Sequence, residues 1–122
     1  MKKTELEERL INFTVQIIEL TDQLSKSKAG NHLLGQLLRS GTSPALNYAE
    51  AQGAESIKDF IHKLQVVLKE LRETHVNLKI IDRSKLYRSN SELEKVLKEN
   101  DELIAIMVKS VQTTKLRLKS KN

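Results

Sequence analysis

Apolar residues recur along this chain at helical spacing in four successive stretches. In the first, Leu6, Leu10, Phe13, Ile17, Leu20 and Leu24 are separated by alternating steps of four and three, the seam of a helix packed in a bundle. Thr4 with Glu7 three residues later predicts a capping box at its start. The polar run from Ser25 to Gly30 closes it, giving a helix over about 4–26. The second stretch carries Leu33, Leu34, Leu37 and Leu38, meets Ser40–Gly41–Thr42–Ser43–Pro44, and resumes through Ala45, Tyr48, Ala49 and Gln52 before Gly53. Pro44 removes one backbone hydrogen bond and crowds the preceding turn, so two outcomes are open. Either one helix over about 30–52 is kinked, or the chain breaks with Ser43 as N-cap and Pro44 in the first turn. The kinked helix is the reading adopted. The third stretch, about 55–83, is free of Gly and Pro and is seamed by Ile57, Phe60, Ile61, Leu64, Val67, Leu68, Leu71, His75 and Leu78. After a loop from Arg83 to Asn90, Ser91 and Glu94 form a second capping-box signal. Leu93, Leu97, Ile104, Met107, Val111 and Leu118 then mark a helix over about 91–119. No segment alternates with period two, so no strand is predicted.

Short connections favour antiparallel neighbours. The expected fold is therefore all-α: an antiparallel up-down-up-down four-helix bundle with a kinked second helix, one domain over residues 1–122. The rival is an extended hairpin that completes its core only in an oligomer. On a wheel of about 100° per residue, Ile11, Val15 and Ile18 form a second stripe nearly opposite the first helix's seam. A monomeric bundle should be polar there, so the stripe is read as a homo-oligomer interface. Val66, Val76 and Ile80 repeat the theme on the third helix, diluted by His62, Lys69 and Glu73.

Composition agrees with this picture and removes most chemistry. The chain has 122 residues, 39% of them hydrophobic and only 3% aromatic, so the core must be aliphatic. Four Gly and one Pro leave few breakers, and the absence of Cys excludes disulfides, thiolate metal sites and a cysteine nucleophile. No apolar run approaches the roughly 20 residues of a membrane span, and the start MKKTELEERL lacks a signal peptide's apolar region. The expectation is a soluble cytoplasmic protein. Of the histidines, His62 lies on an outer face and His75 on a seam, and His32 stands apart, without the paired Glu-x-x-His motifs of a di-iron bundle. Phosphate-loop, dinucleotide, nucleophile-elbow and zincin motifs are missing. No enzyme, metal or cofactor is expected. Arg39, Asn47 and Glu50 share the polar side of the second helix, and with Arg72 and Glu73 they are candidates for an interhelical polar network.

The net charge of +5 allows a polyanionic partner. Much of the pattern serves helix dipoles, with acids at helix starts (Glu5, Glu7, Glu8; Glu55, Asp59; Glu92, Glu94) and bases at helix ends (Lys26, Lys28; Lys79, Arg83; Lys115, Arg117, Lys119, Lys121). Two concentrations remain as nucleic-acid-binding candidates: Lys26, Lys28, Lys79, Arg83, Lys85 and Arg88 at one pole, and Lys115, Arg117 and Lys119 near the carboxyl end. Such binding to RNA or DNA would rest on phosphate contacts and weaken with salt. The alternative is a protein-interaction scaffold whose charge serves solubility and helix ends.

The stretch from Gln36 to Thr74 carries Gln36–Leu37–x–Arg39–Ser40, then Ser43, Asn47, Glu50 and Ala51, then Ser56, Asp59 and Phe60, then Lys69–Glu70–x–x–Glu73–Thr74. This pattern resembles the bacterial family of four-helix bundles encoded in intervening sequences of 23S rRNA genes. The resemblance implies a bundle with a kinked second helix and assembly as a homopentamer. That family includes the accessory variability proteins of diversity-generating retroelements, and the resemblance thereby implies nucleic acid and a reverse transcriptase or other nucleic-acid enzyme as partners. It supplies no catalytic residues, and the older label of ribosomal protein for the family reflects gene location.

Overall fold

The first three helices begin and end where a side chain or a backbone turn can replace the missing intrahelical bonds. The computed structural model describes residues 1–87 and 90–120. Within them the order is α1 (Lys3–Thr21), α2 (Lys28–Ala51), α3 (Ile57–Arg83) and α4 (Asn90–Ser120). α1 starts one residue before Thr4, with Glu5 Oε2 accepting from the Lys2 amide at 3.2 Å; Thr4 is inside the helix and is not its cap. The helix also stops at Thr21, five residues short of the sequence expectation. Ser27 Oγ accepts from the Gly30 amide and starts α2, which claims residues that the periodicity had given to the connection. Ser56 caps α3 by accepting from the Asp59 amide, while Asp59 Oδ2 accepts from the Glu55 amide. α4 starts at Asn90, so Ser91 is a helical residue of the first turn and does not hold the cap position.

α2 runs unbroken through Pro44, so Ser43 is not an N-cap and the two-helix alternative is not adopted. The reason is packing on both sides of the proline: Leu37, Ser40, Gly41, Pro44 and Tyr48 are all buried. Gly41 lets α2 close on α1, because a Cβ there would stand 2.8 Å from Ile17 Cγ2.

α2 packs on α1 and α3, α3 on α4, and the thinner α1–α4 contact completes the square; α1 and α3 are diagonal. A single chain thus encloses its own core, and the extended hairpin is not formed. The five seam residues within α1 and Leu24 just beyond it are all buried, as are Leu64, Val67, Leu71 and Leu78 of α3. Val96, Leu103 and Asn100 join the core from α4, although the apolar series read from the sequence passed over them. At one end the two connections meet. Leu24 and Tyr87 form an isolated antiparallel bridge, and the Ser25 amide donates to Leu86 O at 2.7 Å. Among the described residues no strand longer than this bridge occurs.

Candidate nucleic-acid interface

The bridge between Leu24 and Tyr87 fixes one pole of the bundle. α3 leaves that pole through a turn in which the Lys85 amide donates to Asp82 O and the Leu86 amide to Ile81 O, with Lys85 at φ 55°. These are the paired bonds of a Schellman end, with Lys85 where glycine is usual. The turn directs Leu86 and Tyr87 back to the core while Lys85 stays exposed. Lys26, Lys28, Lys79, Arg83 and Lys85 are exposed at this pole, and none of them joins an ion pair among the described residues. Arg88 and Lys121 lie outside the described residues.

The dipole explanation holds for part of the charge only. Arg83 stands in the last turn of α3, and Arg117 and Lys119 in the last turn of α4, where positive charge is favoured. Lys26 and Lys28 do not terminate α1, whose last turn holds no base. Lys28 is the first residue of α2, and no acid shares that first turn. Positive charge there opposes the α2 dipole. Lys115, Arg117 and Lys119 are exposed at the other end of the molecule, so the two concentrations form separate surfaces. Among the described residues, none of these three pairs with Glu5, Glu7 or Glu8.

The polar network is real but differently composed. Arg39 reaches from α2 to Glu70 at 3.1 Å and Glu73 at 2.6 Å on α3. The hydrogen bond that Arg39 donates to Glu73, followed by the charge of Glu70, raises the guanidinium's pKa further above its ordinary value. One turn inward, the Thr74 and Ser40 hydroxyls are 3.0 Å apart, and Thr74 Oγ1 lies 2.8 Å from Glu70 O. Among the described residues, the side chains of Asn47, Glu50 and Arg72 join no hydrogen bond or ion pair, and Arg72 instead lines a surface groove. Glu70, Ser40 and Thr74 were the missed members. Their signal was the motif itself, since Arg39–Ser40 and Glu70–x–x–Glu73–Thr74 are the two halves that meet.

Arg9 makes a contact the sequence did not indicate. Its Nε and Nη2 donate to the two oxygens of Glu99 at 2.8 and 2.7 Å, with Glu102 at 3.6 Å, joining α1 to α4. His75 Nε2 lies 2.9 Å from Asp101 Oδ1 across α3–α4. Ile11, Val15 and Ile18 remain between 41% and 48% exposed on the outside of α1. Val76 and Ile80 are exposed on α3, where Val66 is half-buried. No helix among the described residues is long and apolar enough to cross a membrane.

No curated protein matches the chain. Among solved structures, it is similar to the 1.70 Å crystal structure of a protein of unknown function from the S23 ribosomal protein family of Bacteroides thetaiotaomicron. The two are 30% identical, with a TM-score of 0.82 over 92% of this chain and 99% of that one. That structure shares the all-helical bundle, and the model of the 23S rRNA-intervening sequence proteins matches residues 2–109, which include both halves of the Arg39 lock and the bridge that joins the connections; the chain belongs to the 23S rRNA-intervening sequence protein family.

Proposed function

We propose that this protein is a non-enzymatic subunit of a homo-oligomer, a pentamer by its family resemblance, that binds RNA, DNA or a ribonucleoprotein through its basic surface. The observation that carries the nucleic-acid reading is the position of Lys26 and Lys28. Both are exposed and unpaired among the described residues, and Lys28 stands at a helix start where the backbone dipole opposes it. Helix termination does not call for lysines there, whereas contact with a phosphate backbone would. Lys79, Arg83 and Lys85 stand at the same pole. Without base-stacking aromatics on that surface, binding follows the backbone and not the sequence.

Self-association rests on Ile11, Val15 and Ile18. Repetition of the basic pole around an assembly would multiply weak phosphate contacts into useful affinity. A reverse transcriptase or another nucleic-acid enzyme fits as the protein partner of such an assembly.

The test is a gel shift with RNA and DNA across a salt series, using the wild type and a Lys26→Ala/Lys28→Ala variant. Retention that weakens with salt, and weakens further in the variant, is expected. No shift at low salt would remove the nucleic-acid role and favour a protein-interaction scaffold.

A further inference from the structure

The outward faces of α1 and α3 are opposite in charge. Between Thr4 and Gln23 the only base is Arg9, and it is turned to Glu99 of α4. The charged residues on the α1 side beside the exposed stripe of Ile11, Val15 and Ile18 are acids, Glu8, Glu19 and Asp22, all exposed. On the far side of the bundle, α2 and α3 enclose an open groove of about 850 Å³. Val76 and Ile80, 56% and 42% exposed, give it an apolar surface, and Lys69 and Arg72 line it with positive charge that no ion pair offsets among the described residues. Among the described residues, Glu73 is the acid that lines the groove, and it is held with Glu70 by Arg39.

We infer that the α1 stripe of one copy seats in the α2–α3 groove of the next copy. The inference rests on the self-association reading and specifies the two surfaces that meet. A symmetric α1–α1 contact would set Glu8, Glu19 and Asp22 against their own counterparts, a like-charge arrangement that opposes association. A nucleic acid in the groove would satisfy Lys69 and Arg72 but leave Val76, Ile80 and the whole α1 stripe in water. A second copy buries both apolar surfaces and pairs both charged rims. α1 and α3 are diagonal in the bundle, so their outer faces point in roughly opposite directions. The contact is therefore head-to-tail, and repetition closes a ring or extends a filament.

Light scattering at micromolar concentration tests this with two charge reversals, Glu8→Lys/Glu19→Lys on α1 and Lys69→Glu/Arg72→Glu on α3. Each pair alone is expected to reduce the assembled wild type to the 13.9 kDa single chain. The four changes together are expected to restore assembly. Because the chain has no Cys, Val15→Cys and Val76→Cys can be introduced singly and the two variants mixed with a short bismaleimide. Crosslinks are expected in the mixture and in neither variant alone. A wild type that runs as a single chain removes the self-association reading itself. An assembled wild type whose α3 reversal leaves the mass unchanged, or whose Val15→Cys variant crosslinks alone, keeps self-association and overturns this pairing.

Discussion

Lys85 holds a backbone conformation that suits glycine. At φ 55° its Cβ crowds the following carbonyl, a cost of roughly 1–2 kcal/mol that glycine avoids. Lys85→Gly is expected to raise stability by about 0.5–1 kcal/mol in urea unfolding, even though it removes one charge from the basic pole. Asn100 presents the reverse situation. It is fully buried, its Nδ2 donates to Leu71 O at 3.2 Å, and its Oδ1 has no partner. Asn100→Asp would bury a charge without a partner and is expected to cost about 3 kcal/mol or more at neutral pH. That loss should shrink in acid as the introduced carboxyl takes up a proton, which the same urea titration at two pH values would detect. Asp59 shows the ordinary acid dependence. The Glu55 amide, and after it Lys63, hold its carboxyl below the usual carboxylate range. Its folded pKa is thus lower than its unfolded one, so its contribution is fully present above about pH 4 and is lost as pH falls through the folded value. Asp59→Asn should therefore lose less stability than wild type over that acid range.

Among the helices, two glycines of α2, Gly35 and Gly41, separate two requirements that look identical in the sequence. Gly35 has open space around it, whereas Gly41 faces Ile17 across the α1–α2 contact. Gly35→Ala is expected to stabilise by roughly 0.5–1 kcal/mol through helix propensity alone. Gly41→Ala should destabilise, because Ile17 is fully buried and has little room to yield. Thermal unfolding of the two variants side by side would show opposite shifts. The same distinction explains which helix features could be read in advance. The α1 seam and the outer stripe follow from local periodicity, and both stand where the spacing put them. The ends do not follow in that way. Thr4 carries a sound capping signal, but the Lys2–Glu5 bond starts the helix earlier, and residues 22–27 are drawn into a connection pinned to Leu86 and Tyr87. A pairing more than sixty residues away in the chain leaves no trace in the local pattern.

For the whole molecule, the decisive quantity is where the charge sits, not its sum. α1 presents acids, the outer side of α3 presents bases, and the bridged pole holds lysines that no helix end requires. Every phosphate deprived of its lysine should lower the slope of log affinity against log salt by about 0.9 for duplex DNA. Lys26→Ala/Lys28→Ala should therefore reduce that slope by nearly two per participating subunit, as gel shifts over a salt series would measure. Much of this protein was determined by its sequence alone: four helices, their apolar seams, an aliphatic core without thiol chemistry, and the residues of a family pattern. These depend on spacing and residue type, and both are local. Only the tertiary structure decided that α2 passes unbroken through Pro44, that Arg39 pairs with Glu70 and Glu73 while Arg72 stays outside the pair, and that Arg9 ties α1 to α4. It also placed Lys28 at a helix start instead of beyond a helix end. Each of these outcomes depends on which helices become neighbours, and that is set by the burial of all four seams at once.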